Sequence, residues 1–222
     1  MTAHNAVMKT DEYDFYQQSL NYSMKQNALN QKSSALLWAA ERGIEATAVI
    51  SISNGSHIEI TDIHGRTPLF WAAYNGHEAV VKILLDTESV DADIKDSKGE
   101  TPLLAAAQHG HAAVVKLLLE TRRVDVNSKV GYETPLFRAA WEGREAVVKL
   151  LLETELVDLH SKDDPNGWTP LYVAAWHGHE LVVKLFLATG CVDADSKDSN
   201  LYLGRPRQWR VDARSGSGAD QP

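Results

Sequence analysis

The tripeptide Thr-Pro-Leu begins at Thr67, Thr101, Thr134 and Thr169, recurring after 34, 33 and 35 residues. A Val-Val-Lys ending at Lys82, Lys116, Lys149 and Lys184 drifts in the same steps. Two independent marks that keep step define a repeated structural unit, and a period of this length belongs to solenoids and arrays. The unevenness falls in one stretch: from Asp93, Asn127 and His160 to the next Thr there are eight, seven and nine residues. Loops absorb insertions and packed helices do not, so a loop is predicted just before each Thr-Pro-Leu. An eroded copy, Ser34 to Gly43, aligns with Thr67 to Gly76 at an offset of 33 but lacks the Pro and the Gly-His. Its second half, Ile44 to Ile52, is rich in β-branched residues and alone would suggest a strand. Register with the later copies predicts a helix.

Each unit carries the chemistry of two helices. Thr67 suits the N-cap, and Pro68 suits the first helical position, where its missing N–H costs nothing. Leu69, Ala72 and Ala73 share a face at i, i+3 and i+4, thin enough for neighbouring repeats to approach closely. Gly76 supplies a left-handed stop. A second helix near His77 to Asp86 turns Val80, Val81, Leu84 and Leu85 inward and Lys82 outward, four residues after Glu78. Glu145–Lys149 and Glu180–Lys184 repeat that spacing. Such pairs contribute only a few tenths of a kcal/mol, so the lysine row reads as a solvated face.

Composition narrows the partners. No apolar run approaches the roughly 18 to 20 residues that span a bilayer, and Met1 to Thr10 does not resemble a signal peptide. The single cysteine, Cys191, excludes an internal disulfide framework and fits a reducing compartment. The expected location is intracellular, in the cytoplasm, with no membrane contact. With 30 acidic against 22 basic side chains the formal charge is −8. That sign repels phosphate backbones, so no nucleic-acid partner is expected; basic or mixed protein surfaces fit better.

Gly65-Arg66-Thr67-Pro68-Leu69, Ala72-Ala73, Gly76-His77 and Val80 to Leu85 resemble the ankyrin repeat, and the match recurs at Gly99 to Leu119 and Gly167 to Leu187. In Thr134 to Leu152 the Gly-His has become Gly143-Arg144, and the preceding glycine is displaced to Gly131. The His usual after Thr-Pro-Leu is here Phe70, Leu104, Phe137 or Tyr172, which substitutes apolar filling for a polar contact. The resemblance covers about Ser33 to Asp198. It implies an all-α solenoid of about five helix-turn-helix repeats (33–64, 65–98, 99–131, 132–166 and 167–198) with β-turn finger loops. Within the family, the Glu-Ala-Val-Val-Lys and Val-Asp…Ser-Lys-Asp phrases resemble arrays of fungal NOD-like (NACHT-type) receptors. No Gly-x-x-x-x-Gly-Lys-Ser/Thr phosphate loop accompanies them.

No catalytic constellation emerges, and neither an enzyme nor a cofactor is expected. His109-Gly110-His111 and His177-Gly178-His179 invite a metal reading, but the second His of each holds the family's Gly-His position and the pairs lie 68 residues apart. Cys191 aligns with Ser89 and Arg123, and nothing in the sequence predicts the His partner and lowered pKa that a catalytic thiol needs. The informative residues are aromatic. On each first helix, the residue before Ala-Ala and the two following it share a face: Trp71, Tyr74 and Asn75; Ala105, Gln108 and His109; Arg138, Trp141 and Glu142; Val173, Trp176 and His177. The resemblance turns this stripe toward a concave groove beside finger loops carrying His64, Arg66, Lys98, Glu100, Tyr132, Glu133, Asn166 and Trp168. Tryptophan, arginine and mixed charges are the stuff of protein-binding hot spots. Binding is expected at Trp141, Trp168 and Trp176, while Trp38 and Trp71 read as fillers between repeats.

The ends depart from the pattern. Residues 1–32 are polar, with Tyr13, Tyr16, Leu20 and Met24 at helical spacing, and read equally as a short docking helix or a disordered segment. Residues 199–222 form a degenerate tail in which Pro206 to Arg210 abandons the repeat. The fifth repeat keeps an internal-type apolar helix without the polar cap that solenoids need. A shortened copy of a longer array and a coding sequence that left its frame near Gly204 both stay open. Leu185 and Phe186 are expected to stay partly exposed and to favour weak self-association. The function implied is binding of a macromolecular partner; the alternative is a sensing or regulatory array of a larger receptor system, or a truncated copy of one.

Overall fold

The computed structural model describes residues 35–87, 89–161 and 167–190. The readings made for residues 1–32, Asn166, Cys191 and the tail from 199 lie outside them. Ten helices occur among the described residues: α1 (Ala35–Arg42), α2 (Glu45–Ser53), α3 (Pro68–Asn75), α4 (Glu78–Leu85), α5 (Pro102–His109), α6 (Ala112–Glu120), α7 (Pro135–Trp141), α8 (Glu145–Leu152), α9 (Pro170–Trp176) and α10 (Glu180–Ala188). Odd helices stack on odd and even on even, giving an inner and an outer row. The β-branched run after Ile44 is the helix α2, so register prevails over local propensity.

Four hydroxyls start the inner helices as expected. Thr67, Thr101, Thr134 and Thr169 each accept the backbone N–H three residues on, at 3.1–3.2 Å. Leu69, Ala72 and Ala73 are buried with their counterparts through α7. Val80, Val81 and Leu84 are fully enclosed, whereas Leu85, at the edge of the arc they define, is half-buried. None of the described helices is long and apolar enough to cross a membrane.

The Gly-His pair acts as a staple between repeats. Nε2 of His77, His111 and His179 donates to the carbonyl of Glu41, Tyr74 and Trp141 in the preceding inner helix, at 3.0, 3.0 and 2.8 Å. Arg144, which replaces the His, makes the same bond through Nε to the Gln108 carbonyl at 3.0 Å. Gly76 therefore has two duties. Its φ of 76° ends α3, and a Cβ there would fall on the His111 ring.

The fingers are also self-supporting. Asp62 Oδ1 accepts from the amides of His64 and Arg66, and Asp96 Oδ1 from those of Lys98 and Glu100. The Ser97 amide donates to the His64 carbonyl, joining adjacent fingers. Val130 and Glu133 close the next finger as an isolated antiparallel bridge.

On the opposite turns, Asn127 bridges two repeats: Nδ2 donates to the Leu156 carbonyl and Oδ1 accepts the Asp158 amide, at 2.9 and 2.8 Å. Asp93 holds the same place one repeat earlier. It has no N–H to offer, and its Oδ1 is buried without a hydrogen-bond partner. Burial raises its carboxyl above the usual aspartate range, and the Asp125 and Asp91 charges add to this. The Asp125 backbone N–H and Lys95 act the other way.

The fifth repeat differs from the expectation. Phe186 is completely buried, because it takes the register of Leu84, Leu118 and Leu151. Leu185 stays half-buried as expected, and the exposed large apolar residue of α10 is Leu181, at 52%, which stands where the earlier repeats have Ala79, Ala113 and Ala146. Leu171, Ala175 and Val183 are only half-buried, although their counterparts Leu136, Ala140 and Val148 are sealed.

Candidate protein-binding face

The inner helices and fingers share one face, and it has two distinct halves. In the first, polar groups are matched within the chain. Arg66 binds Asp96 through Nε at 3.3 Å and lies over the rings of Phe70 and Trp71, 5.2 and 5.1 Å from their centroids. Trp71 donates its indole N–H to Asp62, and Asn75 returns its amide to the Trp71 carbonyl. Tyr74 packs on His109 at 4.2 Å. Burial holds the His109 imidazole below its ordinary range; His111 and Arg144 reinforce this and Glu142 and Glu100 oppose it.

Arg138 is the hub of this half. Its Nε donates to Glu133 at 2.8 Å, and its Nη1 donates to Glu100 at 3.0 Å and to Gln108 at 2.6 Å. Two repeats are thereby joined by one guanidinium that is only 14% exposed. Arg66 and Arg138 therefore organise the face from within. His64, Lys98 and Tyr132 project from the finger tips, and Tyr132 is 56% exposed.

The second half is a run of rings. Trp141 stacks on Trp168 at 6.2 Å and Trp168 on Trp176 at 6.3 Å. Tyr172 closes on Trp168 at 5.4 Å and on Trp176 at 6.1 Å. His177 tilts against Trp141 at 4.5 Å. Trp141 and Trp176 remain 37% and 47% exposed, and both are anchored from below: Phe137 and the His179 staple set Trp141, and Tyr172 sets Trp176. Glu142 is exposed beside Trp141 and reaches Arg144 only at 4.0 Å.

The stripe is not uniformly open. Ala105 and Val173, its first members in the third and fifth repeats, are buried. Asn166 lies outside the described residues. Among the described residues no group of three or more His, Cys, Asp or Glu is placed to hold a metal.

The family model described as ankyrin repeats (three copies) matches in four overlapping stretches, residues 3–96, 36–130, 87–163 and 124–198. The chain is an ankyrin-repeat protein. Curated proteins gave no match. Ankyrin repeats generally serve as protein–protein interaction modules.

Sequence reasoning places the tryptophans on one ankyrin face but misses Tyr172, which reads as filler, and His179, which reads as a family mark. A signal exists for each. Tyr172 and Trp176 are four apart on one helix, like Phe70 and Tyr74. His179 stands 38 residues after Trp141, and His111 stands 37 after Tyr74.

Proposed function

We propose that this chain is a protein-binding module that grips its partner in the concave groove, chiefly through Trp141, Trp168 and Trp176. The observation that carries the reading is the partial exposure of Trp141 and Trp176 on a rigid aromatic base. Large rings held in place lose little conformational freedom on binding, which suits them as anchors. Around them, Tyr132, Glu142 and His177 form an exposed rim, and Tyr74, Asn75, Gln108 and His109 extend the surface toward the second repeat. His64 and Lys98 offer exposed finger-tip contacts. The cytoplasm, where Cys191 would stay reduced, fits this role.

The test is a partner captured from the source cell and titrated against variants. Trp141→Ala or Trp176→Ala should weaken binding by about 2 kcal/mol, roughly 30-fold, while Lys116→Ala on the outer row should change little. Equal losses at both places would rule out the groove.

A second reading has one observation in its favour. The phrases Glu78 to Lys82 and Glu145 to Lys149 are identical and resemble the arrays of fungal NOD-like receptors. On that reading the groove senses a ligand for an effector domain, and captured complexes should contain a nucleotide-binding protein.

A further inference from the structure

The two ends of the face solve the same problem differently. In the second repeat the residue just before Thr-Pro-Leu is Arg66, and its guanidinium covers Phe70 and Trp71. In the fifth repeat that position is Trp168, which tilts against Tyr172, the counterpart of Phe70. An indole thus stands where the other end keeps its cation. The ring surface is enlarged, and among the described residues no Arg or Lys lies over Trp141 or Trp176.

Ring faces carry negative electrostatic potential and attract ammonium and guanidinium groups, more strongly when water is excluded. Glu142, exposed beside Trp141, adds a negative charge whose described ion pair is long, at 4.0 Å. The chain as a whole carries −8, which draws basic segments toward it. In the second repeat the cation seated on rings is also held by a carboxylate, Asp96. The fifth-repeat end offers rings and a carboxylate, and among the described residues no Arg or Lys is seated over Trp141 or Trp176.

We infer that the exposed rings of Trp141 and Trp176 are a seat for an arginine or lysine side chain of the partner protein, so that the ligand is a basic peptide segment. This rests on the groove reading above and narrows it to one partner chemistry.

The experiment uses the full chain and a displayed library of random peptides, counter-selected on a Trp141→Leu/Trp176→Leu double variant. Leucine keeps apolar area and removes the ring faces. Trp176→Phe, which keeps a ring, guards against a folding artefact, and thermal melts check all variants. Enriched peptides should share an Arg or Lys at one position. Replacing that Arg by citrulline, its neutral isostere, should weaken binding about tenfold in an indole-fluorescence titration, and Trp176→Leu should remove most of that difference. Trp176→Phe should retain it in part. Equal binding of the Arg and citrulline peptides, or enrichment of proline, aliphatic or acidic residues at the shared position, would overturn the cation seat. Either result leaves the groove standing if Trp176→Leu still abolishes binding. Failure to enrich any peptide family, or binding indifferent to both tryptophans, would remove the seat, and the latter would remove the groove as well.

Discussion

The halves of the inner face differ in what their side chains are for. Around Arg66 and Arg138, cations, carboxylates and amides complete one another within the chain. Around Trp141 and Trp176, rings are positioned from below and left partly uncovered. Buried or half-buried polar groups need partners to avoid a desolvation cost, so the first half holds the stack together. Exposed rings on a rigid base contribute little to folding and offer area for association. The same repeat therefore serves stability at one end of the array and, on the proposed function, recognition at the other.

The largest effect that separates the two halves concerns the core beneath them. Leu103→Ala, in the sealed third repeat, should cost about 2–5 kcal/mol, and so should Leu118→Ala on its outer helix. Leu171→Ala, at the homologous but half-buried site in the fifth repeat, should cost less than about 2 kcal/mol. Urea unfolding would compare them. Because repeat arrays can open in parts, hydrogen exchange should also find 171–187 opening at lower free energy than 103–119. Equal costs and equal protection would show that the fifth repeat is as fully supported as the third.

Next comes an exchange of roles between stability and binding. Arg138→Met leaves Glu100, Glu133 and Gln108 without their shared donor and should destabilise the fold by about 1–2 kcal/mol. Trp176→Ala should cost the fold less than about 1 kcal/mol, because much of its ring is already in water. In a partner titration the order should reverse. If Arg138→Met left the melting temperature unchanged and abolished binding, Arg138 would belong to the recognition half.

The helical repeat, both helix rows and the Thr caps are legible in the sequence because each depends on residues a few positions apart in a chain with a strong period. The register also carries the correct helix over Ile44 to Ile52. What stays hidden crosses repeats. Arg138 meets Glu100 and Gln108 from 38 and 30 residues away, and a scattered pair at such distance has no local pattern. The Phe186 expectation fails for a simpler reason: it rests on the missing polar cap after the last helix, whereas register with Leu118 and Leu151 puts Phe186 inside. Exposure of Trp141 and Trp176 follows from the stripe, but their mutual support through Trp168 requires coordinates.

A smaller effect probes the turns below the matched half. Asp93→Asn supplies the amide that Asn127 already uses one repeat later, and should stabilise the fold by about 1 kcal/mol at neutral pH. The pH dependence identifies the cause. Burial raises the Asp93 carboxyl in the folded state above its unfolded value near 3.8, so the folded state holds the proton longer. Wild-type stability should fall as pH rises from about 3.8 through the folded pKa. The advantage of Asp93→Asn over the wild type should therefore shrink toward zero in acid, where the wild-type carboxyl is itself neutral. A gain that is the same at every pH would point to a packing effect instead.

The smallest effect lies at the junction of the two halves, where His109 packs on Tyr74. Desolvation lowers its pKa in the folded state, and His111 and Arg144 add their charges to the same end. The unfolded chain therefore binds a proton more readily, so stability is intact above about 6.5 and falls as pH drops through that value toward the lower folded pKa. His109→Gln removes this titration while keeping a polar side chain at the site. Its melting temperature should fall less between pH 7.5 and pH 5.5 than that of the wild type, by a margin smaller than any above. The comparison is the difference between the two proteins at each pH. Protonated His109 would also place a cation beside Tyr74, giving the matched half a charge it lacks at neutral pH. If the two acid slopes coincide, the imidazole is as well solvated folded as unfolded, and the boundary between the two halves lies further toward Trp141.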